Sequence, residues 1–192
     1  MKRESLVSIT DFSKEEILDL LGELNQIKPV WIELGLQTIH PKTAAFIRRG
    51  YKLSCFEDAV QNLRKRQIEV IVHTILGLPG ESEKDILETM QYLNGQDIQG
   101  IKLQLLHVLK GTDLAEDYVA GKFRVYEREE YLNLLIDCLE YLDPSIVIHR
   151  MTGDGPEKLL IAPLWASRKR EVLNLLHHEM KVRNSWQGKQ LQ

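Results

Sequence analysis

Short β-rich runs alternate with amphipathic segments along the chain, and this alternation is the clearest pattern in the sequence. Continuous apolar and β-branched runs predict strands over residues 30–35, 68–76, 100–108 and 145–149. Apolar residues at helical spacing predict helices that start near residues 13, 54, 82, 127 and 168. Because each helix is long enough to cross back over a sheet, the pattern predicts repeated βα units with parallel strands.

Three of the predicted helices begin with the pattern of a capping box. In this motif a serine side chain and an acidic side chain three positions later satisfy backbone N–H groups that the helix leaves free. The three segments are Ser13–Glu16, Ser54–Glu57 and Ser82–Asp85. The pattern therefore predicts where three helices start.

Charge is distributed unevenly along the 192 residues, whose net charge is −3. Residues 166–192 contain six Lys or Arg and only two acidic residues. A basic segment on an acidic body favours a polyanion such as RNA, although a solvated helix with a frayed end explains the same pattern. No apolar run is long enough for a transmembrane helix, and Met1–Ser5 leads into no signal sequence, so we expect a cytoplasmic protein without a membrane partner.

The chain contains two cysteines, Cys55 and Cys138, which are far apart in sequence. Neither belongs to a CxxC or CxxxCxxC arrangement, so the chain alone offers no framework for an iron–sulfur cluster or a structural zinc ion. Leucines surround Cys138, which predicts a core position. The six histidines also lack metal-binding spacings such as HxH or HExxH, so we expect no metal site formed by them.

Ligands of parallel βα folds gather at the C-terminal ends of the strands. This rule selects the segments 35–40, 77–81, 107–112 and 149–151. Alternation places Glu33, Gly35 and Gln37 on one face of the first strand. The glycine between two polar residues leaves room for a ligand, or the face forms internal hydrogen bonds only. The glycines of residues 77–81 likewise allow either close approach of a ligand or a simple tight turn.

Several segments, taken in order, resemble radical SAM enzymes. They are Trp31–Thr38, Arg49–Gly50, His73–Glu81 and Ile101–Leu114. They are most similar to a bacterial group related to the Elongator catalytic subunit and the oxygen-independent coproporphyrinogen oxidase, a group that Val147–Arg150 and Leu160–Trp165 also resemble. The resemblance implies an α/β fold: a partial (βα) barrel with parallel strands, truncated at its N-terminus. Residues 1–165 would form the C-terminal part of this barrel, with Leu6–Thr10 as a remnant of the family's third strand, and residues 166–192 a basic helical tail.

The resemblance also implies cofactors, namely S-adenosylmethionine (SAM) and the 4Fe–4S cluster at which the full-length enzyme cleaves it to start radical chemistry. The positions that match SAM-binding positions of the family are Gln37 and Arg49 at the methionyl part, His73 near the ribose, Gly77 and Glu81 around the adenine, and Lys102 on the following strand. His107, Lys110, His149 and Arg150, at strand ends, are the predicted substrate-binding residues. No catalytic residue is assigned.

The sequence departs from the family pattern in two places. Its 192 residues contain neither the CxxxCxxC loop of the family nor the glycine-rich SAM-amine motif. We therefore expect the chain alone to be inactive, to belong to an enzyme that acts on tRNA, and to dimerise through an exposed sheet edge. Two alternatives remain open. One is a noncatalytic half-barrel module that binds RNA through its basic tail. The other is a cofactor-free barrel lyase or isomerase in which Lys102 forms a Schiff base.

Overall fold

The computed structural model describes Phe12 and residues 14–153 and 155–191. Its strands are β1 (Trp31–Gln37), β2 (Glu69–Leu76), β3 (Gly100–Leu105), β4 (Val108–Leu109), β5 (Val147–Arg150) and β6 (Leu160–Ala162). Its helices are α1 (Glu15–Ile27), α2 (Pro41–Phe46), α3 (Leu53–Lys65), α4 (Glu83–Asn94), α5 (Asp113–Val119), α6 (Arg128–Tyr141) and α7 (Lys169–Val182). The predicted strand over Leu6–Thr10 and the predicted cap Ser13 lie outside the described residues.

A four-stranded sheet organises the fold, with strand order β1-β2-β3-β5. All three neighbouring pairs are parallel, and at least one helix lies in the chain between each pair. Parallel pairing requires such crossovers, because the chain must return to the starting end of the sheet before the next strand. The predicted α/β fold with parallel strands is therefore confirmed.

The hydrophobic core lies between one face of this sheet and the helices. Alternate strand residues on this face are almost completely buried, among them Leu34, Val72 and Leu103. On the helix side, α3, α4 and α6 contribute residues such as Phe56 and Met90 to the same cluster. Burial of such side chains is the main stabilising contribution to a domain of this kind, at roughly 1.5–3 kcal/mol for each large one.

Helix α6 is the central helix of this layer. It has eight buried residues and packs against α4 and α7. Cys138 is fully buried within it, as predicted for a core position. Helix α4 begins with the predicted capping box, in which Ser82 accepts from the Asp85 N–H and the Asp85 side chain accepts from the Ser82 N–H.

The capping box predicted at Ser54–Glu57 is wrong. Helix α3 begins at Leu53, so its N-cap residue is Lys52, two positions before Ser54, and Lys52 makes no side-chain capping bond. Ser54 therefore lies within the first turn rather than before it. The Glu57 carboxylate instead accepts a hydrogen bond from the Tyr92 hydroxyl at 2.8 Å, so tertiary contact with α4 overrides the local motif.

The strand predicted over residues 100–108 is interrupted. β3 ends at Leu105, and the Leu106 N–H donates to the Leu76 carbonyl at the end of β2. The chain then turns at His107 and forms β4, which pairs antiparallel with β6 in a small ribbon. The continuous apolar run hides this break, because both strands are buried. Helices α2 and α5 are also additional to the predicted elements.

Residues 183–191 do not extend away from the domain. After α7, the Gln187 side chain donates to the carbonyls of Asp143 and Ile146 at 2.7 and 2.8 Å. The Gly188 N–H donates to the Leu139 carbonyl, so the segment is fastened across the end of α6. We call residues 183–191 the strap. Throughout the part of the chain described, no helix combines the length and apolar character needed to cross a membrane.

Candidate functional site

One row of register partners crosses the second face of the sheet, opposite the helices. Gly35 of β1 pairs with His73 of β2, His73 with Lys102 of β3, and Lys102 with Arg150 of β5. Since side chains alternate along strands, the neighbours of these residues point into the apolar core. The parallel pairing thus brings three of the predicted site residues together, His73, Lys102 and Arg150.

Glu33 connects the side chains of this row. Its Oε1 atom accepts a hydrogen bond from Lys102 Nζ at 2.6 Å, and its Oε2 atom lies 2.8 Å from His73 Nε2. The Gln104 amide nitrogen donates to His73 Nδ1 at 3.1 Å. Because Nδ1 is then an acceptor, Nε2 carries the proton of the neutral ring and donates it to Glu33. We call Glu33, His73, Lys102 and Gln104 the polar cluster.

Electrostatics favour an ionised glutamate and a neutral histidine in the cluster. Burial acts to raise the pKa of Glu33, but the hydrogen bonds and charges of Lys102 and His73 outweigh it and hold the pKa below its ordinary value. Burial lowers the pKa of His73, opposed by the bond to Glu33 and assisted by the charges of Lys102 and Arg150. At neutral pH the cluster therefore pairs the Glu33 carboxylate with the Lys102 ammonium, and Arg150 adds a second cation in the same row.

Two glycines on this face leave space that neighbouring side chains occupy. A Cβ atom at Gly35 would lie 2.4 Å from the terminal amide group of Gln37, which folds back over the strand. Gln37 reaches this position with a positive φ of 61°, at an irregularity in the β1–β2 register. A Cβ atom at Gly100 would lie 2.6 Å from the His149 ring. The space above Gly35 thus holds Gln37, and the predicted residues Gln37 and His149 both lie against the sheet.

Arg49 holds the C-terminal end of β1 in place. Its Nη1 atom donates to the carbonyls of Leu36 and Thr38 at 3.1 and 2.6 Å, and its Nε atom donates to the Tyr51 carbonyl. The guanidinium also lies 5.0 Å from the centre of the Tyr51 ring, a cation–π distance. This geometry makes Arg49 a support of the strand end, and its contact with SAM stays a prediction.

Glu81 ties the loop after β2 to the loop after β1. The Thr38 hydroxyl donates to Glu81 Oε1 at 2.5 Å and accepts from the His40 N–H at 3.0 Å. Burial raises the pKa of Glu81, although the hydrogen bonds from threonine side chains oppose the shift. A carboxylate so engaged positions the two loops, and adenine binding by this segment stays a prediction.

A cleft of about 320 Å³ lies between the glycine loop after β2 and residues 122–126. At Gly77, whose φ is 87°, an added Cβ atom would lie 2.9 Å from the Tyr126 ring. Only glycine lets this ring pack directly on the backbone while keeping that conformation. Gly77, Glu81 and Tyr126 therefore border one cleft with an aromatic wall, which can accept a flat ring.

His107 packs against the loop that follows β5. Its ring lies where Cβ atoms of Gly153 and Gly155 would be, and its Nδ1 atom accepts the Gly155 N–H at 3.2 Å. Burial lowers the pKa of His107, and the charge of Lys169 acts in the same direction. The Lys110 side chain is exposed. The backbone N–H of Lys110, just after β4, donates to the Leu159 carbonyl. His107 and Lys110 thus lie beyond the end of β3, where His107 is largely occupied with the loop, whereas the His149 ring lies over Gly100 at the start of β3.

One group of described residues brings three potential metal-binding atoms within 4.8 Å of one another, namely His40, Asp85 and Glu88. The Asp85 carboxylate is already used by the capping box, where it accepts from the N–H and hydroxyl of Ser82. The His40 Nε2 atom lies 2.7 Å from the Asp85 carbonyl oxygen. These bonds give His40 and Asp85 a structural role at the start of α4.

Sequence reasoning left two members of the polar cluster, Glu33 and Gln104, without an assigned role. Both were detectable, because each is a polar residue at an alternate position of an apolar strand. Glu33 and Lys102 are 69 positions apart in the sequence. They come into contact because of the order of the strands in the sheet and the register in which these strands pair. Alternation within one strand does not contain that information.

Comparison with known proteins connects this geometry to a family. Residues 2–93 match the model of the radical SAM superfamily, and residues 98–182 match the model of the radical SAM C-terminal domain. Protein YtqA of Bacillus subtilis is 41% identical over 96% of the chain, which in turn spans 58% of YtqA. A tRNA uridine(34) acetyltransferase of Dehalococcoides mccartyi is 28% identical over 78% of the chain, corresponding to 34% of that enzyme. The chain thus spans little more than half of YtqA and about a third of the acetyltransferase.

The fold is shared with a solved structure. Elp3 of the archaeon Methanocaldococcus infernus, with an N-terminal deletion, superposes with a TM-score of 0.77 over 93% of the chain and 41% of Elp3, at 19% identity. This similarity concerns the fold, a parallel sheet flanked by helices. The two family models together account for nearly all of the sequence, in the order in which the sheet is built. The chain belongs to the radical SAM superfamily.

Proposed function

We propose that these residues form the SAM- and substrate-facing part of a radical SAM enzyme that acts on tRNA. The observation that carries the proposal is the polar cluster with Arg150, set on one face of a parallel sheet in a chain of this family. Ligand sites of parallel βα folds lie toward the C-terminal ends of the strands, and Gly35 and Arg150 of this row lie near the end of β1 and at the end of β5.

The residues fit SAM by their donor chemistry. Glu33 offers carboxylate oxygens to ribose hydroxyls, while Lys102 and Arg150 offer cationic donors to the methionyl carboxylate. The Nε2 proton of His73 is already engaged by Glu33, so His73 orients this carboxylate. The aromatic cleft beside Gly77 suits the adenine. In this family SAM supplies the means of abstracting a hydrogen atom, and the residues named here bind and orient it.

The residues do not fit the 4Fe–4S cluster. Such clusters are generally held by four Cys thiolates, and the sequence contains only Cys55 and Cys138. Cys138 is fully buried, and burial raises the pKa of its thiol well above the ordinary range. A thiol of this kind is a poor cluster ligand. We propose that the cluster ligands of the active enzyme come from outside these 192 residues, so that the chain alone is inactive.

Support for a tRNA substrate comes from two sources. The relative in Dehalococcoides mccartyi is by name a tRNA uridine(34) acetyltransferase. In addition, exposed cations border the end of the sheet where the substrate would enter, including Lys110. Phosphate contacts of this type dominate the affinity of proteins for nucleic acids.

The geometry gives less support to a Schiff-base enzyme. Lysines that form Schiff bases are activated by an apolar pocket or a neighbouring cation. Lys102 instead donates to a glutamate at 2.6 Å. This pairing suits a binding role.

Equilibrium dialysis of radiolabelled SAM against the 192-residue chain tests the proposal. We expect measurable binding that Lys102→Met weakens at least about tenfold, which corresponds to about 1.4 kcal/mol. The matched control is Lys65→Met, at an exposed lysine in the last turn of α3, and it should leave binding unchanged. Thermal melting of both variants shows that they are folded. Absence of SAM binding, or equal binding by the two variants, would overturn the proposal.

A further inference from the structure

The six cations of residues 166–192 fall into groups with different surroundings. In the strap and the last turn of α7, Arg183 pairs with Glu179 and donates to the Asn133 side chain at 2.6 Å. Lys189 pairs with Glu140, which is almost buried. These two cations fasten the strap to α6, so they contribute to folding. The basic tail is therefore not a uniform surface for RNA.

The other group is concentrated at the start of α7, where Arg168, Lys169 and Arg170 are consecutive and exposed. The N-terminus of a helix carries a partial positive charge, so three cations here act against the helix dipole. The nearby Glu171 carboxylate is shared, since it accepts from Arg128 at 2.8 Å and lies 3.7 Å from Arg168. Glu171 therefore offsets only part of the charge of Arg168. A polyanion at this surface would meet three consecutive exposed cations.

The start of α7 lies at the same end of the sheet as the predicted site. β6 leads into α7 through the turn Leu164–Ser167, and β6 pairs with β4, which directly follows His107. Lys169 is close enough to His107 for its charge to act on that ring. The cations border an open depression of about 700 Å³ with Asn174 at its side.

Two further exposed cations stand at the opposite end of the β4–β6 ribbon. The Lys110 N–H donates to the Leu159 carbonyl at 2.8 Å, which places Lys110 beside Lys158. The ribbon therefore has cations at both of its ends. We call Lys110, Lys158, Arg168, Lys169 and Arg170 the basic rim. Charges spread along a ribbon match a chain of phosphates better than they match a single small anion.

We propose that the basic rim binds the phosphate backbone of the RNA substrate and positions it beside the polar cluster. This inference rests on the proposed function and deepens it, because it assigns RNA docking to the start of α7 and the β4–β6 ribbon and leaves the strap out. Contacts of this kind position a nucleic acid without reading its sequence.

The test measures binding of fluorescently labelled tRNA to the full 192-residue chain by anisotropy at several salt concentrations. The variant Arg168→Gln, Lys169→Gln, Arg170→Gln removes three rim charges. The matched control Lys28→Gln, Lys65→Gln, Lys181→Gln removes three exposed charges elsewhere. We expect the rim variant to lose about 10- to 100-fold in affinity and about 2–3 in the slope of log affinity against log salt. We expect the control to stay close to the unmodified chain.

Dialysis of SAM against the same proteins separates this inference from the proposed function. Rim-dependent tRNA binding without SAM binding would overturn the proposed function and leave the rim as an RNA surface. SAM binding together with equal tRNA affinities of the two triple variants would overturn the rim alone. Undetectable binding of tRNA by the unmodified chain would also overturn it. Rim-dependent sedimentation with phosphatidylserine vesicles, without rim-dependent tRNA binding, would replace RNA by an anionic membrane surface.

Discussion

The two faces of the four-stranded sheet are built from the same strands and have opposite chemistry. The face toward the helices carries Leu34, Val72 and Leu103, each no more than 2% exposed. The other face carries Glu33 and Lys102, bonded to each other and to a shared network. Because the residues alternate, every second position serves packing and every other position is available for chemistry. Stability and ligand binding can therefore be altered separately in this sheet, and the following substitutions test that separation.

The largest expected effect is on the helix-covered face. Leu103→Ala should lower the free energy of unfolding by about 2–5 kcal/mol, because it removes buried apolar contacts and leaves a cavity. Gln104→Ala, at the next residue and on the other face, should cost less than about 1 kcal/mol, although it removes the bond to His73. Urea denaturation of both variants measures the difference. Equal losses would show that the two faces are not separable.

The next effect concerns the ion pair that joins β1 and β3. Glu33→Ala should lower the free energy of unfolding by about 1–3 kcal/mol, because the Lys102 ammonium, only 13% exposed, loses its carboxylate partner. In a double-mutant cycle, Glu33→Ala combined with Lys102→Met should cost less than the sum of the two single changes. Urea denaturation of the four proteins gives the coupling energy. Additive costs would mean that the pair contributes nothing as a unit.

The third effect is a pH dependence located on the polar face. The pKa of His73 is lowered in the folded protein, so the unfolded chain binds a proton more readily. Stability from this group is therefore fully present above the ordinary histidine pKa of about 6.5 and is lost as the pH falls below it. His73→Gln should reduce the loss of stability between about pH 7 and 5. The exposed control His177→Gln should keep the loss seen in the unmodified protein, and a slope unchanged by His73→Gln would contradict the assignment.

The smallest effect is expected at Thr74, a polar residue on the helix-covered face. It is 1% exposed, and its hydroxyl donates to the Lys102 carbonyl at the long distance of 3.3 Å. Thr74→Val should change the free energy of unfolding by less than about 1 kcal/mol, because shape is kept and only a weak bond is lost. Thr38→Val should cost about 1–3 kcal/mol, because it leaves the Glu81 carboxylate and the His40 N–H without their shared partner. Thermal melting that ranks the two in the reverse order would contradict this interpretation.

Sequence periodicity was sufficient for the parallel sheet and for most helices, because the core face of each strand is almost purely apolar. Periodicity gave a wrong helix start at Ser54, where tertiary contact determines the first turn. It also missed the turn at His107, because the strands on both sides of that turn are apolar. For the site, the family resemblance selected His73 and Lys102, position at a strand end selected Arg150, and the fold brings the three into one row. The sequence did not show that Arg49 is occupied by backbone carbonyls or that Gln37 fills the space above Gly35, because both depend on loop conformation.

The polar cluster also has a consequence for how ligand binding and folding are coupled. Glu33 and Lys102 are 69 positions apart in sequence, Glu33 and His73 are 40 apart, and three strands must be paired in register before the atoms meet. A partly folded chain therefore has no site. A ligand that bridges the cluster binds only the native sheet and stabilises it by RT ln(1 + [L]/Kd). Ligand occupancy then reports the fraction of molecules in which all three strands are correctly paired.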